Sequence, residues 1–197
     1  MKMVGNTLVS IAIAASFTAS TPLTLDVSPA VQPLGETLTQ KIRESKWTCP
    51  ECSSDEQYVL AALQEHTKIS DRNALATIMG NIQQESKFIS NICEGGARVS
   101  YTNCKSGGFG LIQWTSIGRY KGLGNFCARF SCDPSSLEGQ VRWMINEPIF
   151  QKVLPQFEGS GQTVSYYMKP AYYWLGWGIK GNRELYAYDY TKKMVFV

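Results

Sequence analysis

The sequence predicts an α+β fold that is predominantly α-helical. Apolar side chains recur at helical spacing in several segments, most clearly from Leu75 to Ile82 and from Leu137 to Ile145. Between Cys93 and Trp114 the chain instead contains five glycines, which suit tight turns. This glycine-rich segment predicts a small irregular β-hairpin beside the helix that precedes it.

Composition places the chain among ordinary globular proteins. Of its 197 residues, 44% are hydrophobic and 18% are charged, which excludes the highly charged and weakly hydrophobic class of disordered chains. The length fits one compact domain with some additional chain. The formal net charge of +3 comes without a cluster of Lys and Arg, so nucleic acid is not an expected partner.

Six cysteines in a chain of this size indicate disulfides formed in an oxidising compartment. Zinc is the weaker interpretation, because only one Cys-x-x-Cys is present and the single histidine, His66, lies in a polar helical segment. We therefore expect neither a metal nor another cofactor. Six cysteines allow about fifteen pairings, among which the sequence does not choose. The simplest local pairs are Cys93 with Cys104, Cys127 with Cys132, and Cys49 with Cys52.

The N-terminal segment has the pattern of an export signal. Lys2 precedes an apolar run from Leu8 to Phe17, which is shorter than the about 20 apolar residues of a transmembrane helix. Residues 1–20 are therefore predicted to be a signal peptide or a membrane-associated leader. Residues 21–48 contain several prolines and few large apolar side chains, so they are predicted to be a linker. Residues 49–197 are predicted to form the folded domain.

Capping residues predict where the helices begin. The predicted N-caps, in chain order, are Ser54 or Asp55, then Asp71, then Asp133. The helix after Asp71 is expected to end near Phe88, and Pro148 is expected to interrupt the helix after Asp133. An aromatic segment from Tyr166 to Tyr190 then closes the domain.

Glu85 is the candidate acid in the second predicted helix. It lies three residues after Ile82 and seven after Ile78, so it continues the apolar face of that helix and points inward. Loss of water and the nearby helix C-terminus both favour the protonated carboxyl group, whereas Lys87 acts in the opposite direction. Cleavage of a glycosidic bond needs such an acid to protonate the departing sugar oxygen. The alternative is an ordinary solvated glutamate.

Four segments together resemble the phage tail lysozyme family. They correspond to the end of its catalytic helix (Gly80–Phe88), its Gly-Leu-x-Gln-Trp-Thr signature (Gly108–Thr115, followed by Gly118-Arg119), its glutamine-containing helix (Ser136–Glu147) and its closing helix (Lys169-Pro170 with Arg183 and Ala187). The resemblance covers roughly residues 54–190. It implies a lysozyme-like fold in which the small β-hairpin lies beside the catalytic helix.

The resemblance also implies a reaction and roles for individual residues. The reaction is muramidase cleavage of the β-1,4 bond between N-acetylmuramic acid and N-acetylglucosamine, with Glu85 as general acid. Gln113 would position the substrate or a water molecule; a structural amide within a glycine-rich turn is the alternative. Glycosidases usually use a second carboxyl group, for which Glu94 is the leading candidate, although its glycine neighbours suit an exposed turn equally well. Trp114 and Thr115 belong either to the core or to the substrate cleft.

Aromatic side chains cluster at helical spacing near the end of the domain, at Tyr172, Tyr173, Trp174 and Trp177. Aromatic rings offer apolar faces to sugar rings, but such clusters more often belong to a core. We expect part of the cluster to pack inside, with Tyr173 and Trp174 lining the substrate groove.

Three functions remain open at this point. The first is hydrolysis of peptidoglycan, the second is lytic transglycosylation, in which the sugar's own 6-hydroxyl attacks, and the third is a non-catalytic glycan-binding protein of a virion. The expected partner in each case is the glycan strand of peptidoglycan, met in a secreted, extracytoplasmic or virion-associated location. Transient membrane contact through the leader is a further expectation, and the oligomeric state is left open. The sequence does not support a serine or cysteine nucleophile, because no histidine is suitably placed.

Overall fold

The computed structural model describes residues 46–197, and its fold is α+β and predominantly helical, as the sequence predicts. These residues form seven α-helices, one short 3-10 helix at Tyr101–Asn103 and a two-stranded antiparallel sheet. In chain order the elements are β1 (Trp47–Thr48), α1 (Ser54–His66), α2 (Arg72–Ser86), α3 (Ile117–Phe130), α4 (Leu137–Asn146), α5 (Pro148–Phe157), α6 (Val164–Leu175), α7 (Arg183–Lys193) and β2 (Val195–Phe196).

Helix α1 begins one residue earlier than predicted, because Ser53 is its N-cap. Ser53 forms a capping box with Glu56, in which each side chain bonds the backbone N–H of the other residue. The hydroxyl of Tyr190 on α7 also donates to the Glu56 carboxylate. Burial raises the pKa of Glu56, but the hydrogen bonds from Tyr190 and Ser53 outweigh it, so the pKa lies below its usual value.

Helix α2 is capped by Asp71, as predicted, through bonds of 2.7 and 3.1 Å from the backbone N–H groups of Asn73 and Ala74. The helix ends at Ser86, two residues before the predicted end. Lys87 adopts the left-handed conformation, with φ 53°, and its N–H closes the last turn on a carbonyl of the helix. The end of α2 is therefore a sharp change of direction immediately after Glu85.

The predicted cap of α4 is wrong. Its N-cap is Ser136, whose hydroxyl accepts from the N–H of Gly139 at 3.0 Å. Asp133 instead accepts from the N–H of Ser135 at 2.8 Å and shapes the turn before the helix. Pro148 does not merely interrupt α4; it occupies the first turn of a new helix, α5, where its missing N–H costs nothing.

Helix α3 has no counterpart in the predictions, because its glycines obscure the helical pattern. These glycines admit large neighbours. A methyl group on Gly122 would lie 2.5 Å from the Trp143 ring, and one on Gly124 would lie 2.5 Å from the Tyr101 hydroxyl. Close packing of aromatic side chains against α3 thus requires residues that weaken its helix propensity.

Helix α2 is the centre of the domain, since every residue from Ala74 to Ile82 is buried. A helix that is buried on all sides must be covered by neighbours, and α7 lies along it at close range. A methyl group on Gly80 would be only 2.4 Å from the backbone nitrogen of Ala187. Gly80 therefore permits the close crossing that places the start of α7 beside the end of α2.

The predicted β-hairpin is irregular. Residues 93–114, which we call the glycine-rich loop, contain no continuous strand; single bridges pair Cys93 with Phe109 and Phe109 with Trp114. Gly107 and Gly110 adopt positive φ values of 79° and 73°, and such turns interrupt a regular ladder. The segment lies after α2, as expected, but as a folded loop.

The six cysteines form the three local disulfides, namely Cys49–Cys52, Cys93–Cys104 and Cys127–Cys132. The predicted boundary between linker and domain, after residue 48, directly follows β1. In that strand Trp47 pairs with Phe196 of β2, and the two rings pack edge to face with centroids 5.1 Å apart. The folded unit thus includes at least two residues assigned to the linker.

The predicted leader, residues 1–20, and nearly all of the predicted linker lie outside the described residues. Between residues 46 and 197, every helix is too short or too polar to cross a bilayer.

Candidate active site

Glu85 lies on the last turn of α2 with its side chain 15% exposed. Its Oε1 atom accepts a hydrogen bond of 2.5 Å from Nη2 of Arg183, the first residue of α7. The Arg183 side chain is only 7% exposed. A guanidinium and a carboxylate at this distance form a charge-assisted hydrogen bond.

Arg183 is itself held firmly. Its Nη1 atom donates to the carbonyl oxygens of Ile179 and Lys180, at 2.9 and 2.8 Å. Its guanidinium lies over the ring of Trp177, 4.7 Å from the centroid. The loop between α6 and α7 therefore orients the cation towards Glu85.

Unusual backbone conformations concentrate around Glu85 and the glycine-rich loop. Within residues 46–197, four non-glycine residues have a positive φ, and three of them are Lys87, Phe88 and Gln113. Each costs about 1–2 kcal/mol relative to an ordinary conformation. Conformations of this kind cluster at functional sites, where the surrounding structure holds them in place.

Two side chains fix the glycine-rich loop against the helices. The Ser86 hydroxyl, next to Glu85 in the chain, donates to the carbonyl oxygen of Leu111 at 2.7 Å. Gln140 on α4 is fully buried, and its Oε1 accepts from the Leu111 N–H at 2.7 Å. Its amide nitrogen donates to the carbonyls of Ser90 and Pro134, at 2.7 and 2.8 Å. These bonds hold the loop beside the end of α2.

Glu94 lies exposed in the same loop. Its Oε2 accepts from the N–H of Gly108 at 2.9 Å, while its own N–H donates to the Gly108 carbonyl at 2.8 Å. A methyl group on Gly107 would meet this carboxylate at 2.2 Å. The Glu94 side chain therefore shapes the loop, whatever further role it has.

Gln113 is partly buried and forms bonds to the backbone of its own loop. Its amide nitrogen donates to the carbonyl oxygen of Gly110 at 2.9 Å and more weakly to that of Ile92 at 3.5 Å. This geometry matches the structural alternative raised by the sequence. Thr115 is exposed, and its hydroxyl donates to the Gln113 carbonyl at 2.9 Å.

The aromatic candidates divide into buried and exposed residues. Trp114 and Trp174 have no exposed surface, so neither can present a ring to a glycan, and both belong to the core. Tyr173 is 56% exposed. It packs edge to face on Tyr172, which contacts Trp177 in the same way, with centroid separations of 5.8 and 5.4 Å. Because Trp177 covers Arg183, these rings form a continuous aromatic surface that leads to the Glu85 ion pair.

A cavity of 580 Å³ lies beside the glycine-rich loop. Its lining includes Gly107 from the loop and Thr115, which directly follows the loop, but not Glu85. In the part of the chain from residue 46 onward, no three side chains of His, Cys, Asp or Glu lie close enough together to hold a metal ion.

Sequence reasoning missed Gln140 and Arg183 as individual residues of the site. Gln140 appears there only within the segment Ser136–Glu147. Its position three residues after Leu137 and four before Met144 puts a polar side chain on the apolar face of that predicted helix, which was the available signal. Arg183 lies 98 residues after Glu85, and no pattern in the sequence around either residue predicts the contact.

The family model that matches this chain is that of the phage tail lysozymes, over residues 54–172. The match includes Glu85, the glycine-rich loop and Gln140, but it ends before Arg183. Comparisons with curated proteins and with solved structures gave no significant match. Since the matched segment is more than half of the chain, the protein belongs to the phage tail lysozyme family and has a lysozyme-like function directed at peptidoglycan.

Proposed function

We propose that the protein hydrolyses the β-1,4 bond between N-acetylmuramic acid and N-acetylglucosamine in peptidoglycan, with Glu85 as general acid. The observation that carries this proposal is the position of Glu85. Its carboxylate is partly buried, yet still accessible, at a helix end bordered by a strained and firmly held loop. A proton donor needs this combination of limited water and access to substrate.

In this proposal, the ion pair between Glu85 and Arg183 belongs to the enzyme before substrate binds. With a saccharide bound, Glu85 in its protonated form, the proton having been taken up from solvent, donates that proton to the glycosidic oxygen as the bond from that oxygen to C1 breaks. A water molecule attacks C1 and gives one of its protons to the Glu85 carboxylate. Release of this proton to solvent as the product leaves restores the hydrogen bond from Arg183.

The exposed aromatic surface supports a glycan as the ligand. Tyr173 and Tyr172 are about half exposed, and Trp177 connects them to Arg183. Sugar rings stack on such faces. In this arrangement a bound strand would cross the aromatic surface and reach Glu85, with Thr115 and Gln113 on the side of the glycine-rich loop.

The decisive experiment replaces Glu85 with Gln in the full chain and measures release of soluble sugar from purified peptidoglycan. We expect release to fall at least about a hundredfold. The control is Glu65→Gln, which removes an exposed carboxylate from α1 and should keep wild-type activity. Circular dichroism of both variants verifies folding. If wild-type protein binds cell walls without releasing sugar, or if Glu85→Gln retains full activity, the proposal fails in favour of a binding module.

The environment of Glu94 favours lytic transglycosylation as a second candidate reaction. One oxygen of its carboxylate is already used by the N–H of Gly108, and transglycosylases rely on one glutamate while the 6-hydroxyl of the sugar attacks. Mass spectrometry of the products separates the reactions, because hydrolysis leaves reducing ends and transglycosylation leaves anhydro-muramic ends. Glu94→Gln adds a second readout. The amide oxygen keeps the bond to Gly108, so a loss of activity assigns chemistry to the charge of Glu94.

We further propose that the protein acts outside the bacterial cytoplasm, either secreted or carried by a virion. The domain contains three disulfides. Disulfides persist in oxidising compartments and are rare in the reducing cytoplasm. Fractionation of producing cells and of virus particles, followed by detection of the protein, tests this location.

A further inference from the structure

The cavity of 580 Å³ beside the glycine-rich loop has features of a ligand site. Its lining includes Tyr101 and Tyr120, whose rings are stacked with centroids 4.3 Å apart and planes at 14°. Ile117, at the start of α3, also lines the cavity and is 73% exposed. The cavity therefore offers aromatic and aliphatic surface to a ligand.

The charge of this cavity is positive. Lys105 from the loop and Lys121 from α3 both line it, and both are exposed. Among the described residues, neither lysine lies within ion-pair distance of an acidic side chain. Burial raises the pKa of Tyr101 and of Tyr120, so the two phenols remain neutral.

One acidic group lies at the border of the cavity. The Glu94 carboxylate is close to Gly107, which belongs to the lining, but one of its oxygens accepts from the backbone of Gly108. Lys105 Nζ also donates to the carbonyl oxygen of Thr102 at 2.9 Å. Because an ammonium group has three N–H donors, Lys105 can still donate to an anionic ligand, as can Lys121.

We propose that this cavity binds the peptide stem of peptidoglycan through its carboxylate groups. The inference rests on the proposed function, since the stem is attached to the sugars that the enzyme would cleave. Stem peptides combine carboxylates with small apolar side chains, which suit the two lysines, the tyrosine pair and Ile117. Thr115, which lines the cavity, follows the glycine-rich loop and donates to the Gln113 carbonyl. The cavity thus adjoins the loop that lies beside the end of α2, and we place the stem of a strand bound at Glu85 there.

The test compares two substrates and two double variants. The substrates are glycan strands with intact stems and the same strands after an amidase has removed the stems. The test variant is Lys105→Gln with Lys121→Gln. The control is Lys68→Gln with Lys152→Gln, which removes the same charge from two exposed positions outside this cavity.

We expect the test variant to raise KM for stem-bearing strands by roughly three- to tenfold, as expected for the loss of two exposed charge contacts. Its kcat should be unchanged, as should both parameters on bare strands, and the control should match the wild type on both substrates. An equal change on both substrates, or no change on either, would overturn the proposal.

Direct binding separates this inference from the proposed reaction. A soluble, uncleavable acidic stem tetrapeptide is titrated into wild type, Glu85→Gln and the lysine variant, with binding followed by calorimetry. We expect equal affinities for wild type and Glu85→Gln and a loss of affinity in the lysine variant. Added salt should weaken binding by the wild type more than binding by the lysine variant, because salt screens the charges that the variant lacks. Binding that is insensitive to the lysines, or absent in the wild type, refutes the stem site even if the enzyme cleaves glycan.

Discussion

The ion pair between Glu85 and Arg183 predicts a measurable energetic coupling. Arg183→Met keeps a long apolar side chain but removes the guanidinium and leaves the Glu85 carboxylate without its cation. Breaking a buried pair by removing one partner costs about 3–5 kcal/mol. Because the Glu85 side chain retains 15% exposure, water can replace part of the contact, so we expect about 3 kcal/mol.

The reverse change, Glu85→Gln, should cost less. The amide oxygen can still accept from Arg183, so the loss is the difference between a charged and a neutral hydrogen bond, about 1–2 kcal/mol. In the double variant neither charge is left unpaired. The loss of unfolding free energy in the double variant should therefore be smaller than the sum of the losses in the two single variants, by about 1 kcal/mol or more.

Urea unfolding followed by tryptophan fluorescence measures these free energies for the wild type and the three variants. The m-value should stay constant across the set, which shows that the compared states are equivalent. A coupling below about 0.5 kcal/mol would show that the contact adds nothing to stability, and the role given to Arg183 as the residue that holds Glu85 would be wrong.

Four other changes have expected outcomes. Gly80→Ala should destabilise the domain by about 1–3 kcal/mol in thermal unfolding, because the added methyl group meets the backbone of α7. Gln140→Leu should lower the free energy of unfolding by about 2–4 kcal/mol and lower activity, since it leaves backbone groups that Gln140 binds, such as the Leu111 N–H in the glycine-rich loop, unpaired. The loosened loop should be cleaved faster by a protease, and an unchanged rate of cleavage would contradict this. Lys87→Gly should stabilise the fold by about 1 kcal/mol in urea unfolding by relieving a left-handed conformation. Glu56 has a lowered pKa, so its contribution to stability is present above pH 4.5 and is lost as the pH falls through the lower folded value. Tyr190→Phe should therefore destabilise the protein at pH 7 and approach the wild type under acid, as unfolding at several pH values will show.

The parts of the fold that sequence reasoning predicted are those set by local chemistry. Asp71 caps α2 through its immediate neighbours. The spacing of Ile78, Ile82 and Glu85 predicts a carboxyl group turned inward, and the Glu85 side chain is 15% exposed. The local cysteine pairs likewise follow from short separations along the chain. In each case the deciding contact lies within about a dozen residues.

The parts that it missed depend on tertiary contacts. Arg183 reaches Glu85 across 98 residues, and the glycines of α3 appear unfavourable until Trp143 and Tyr101 occupy the space beside them. Trp114 is fully buried. The sequence left its place open between core and cleft, because a motif specifies a residue type but not which way its side chain faces.

The short span of every disulfide bears on how the domain matures. The paired cysteines are 3, 5 and 11 residues apart. Loop closure becomes more costly as the intervening chain lengthens, by about 0.6 kcal/mol for each doubling. A nascent or translocating chain therefore meets the correct partner of each thiol before a wrong one, and oxidation can proceed sequentially from the N-terminal pair onwards without reshuffling.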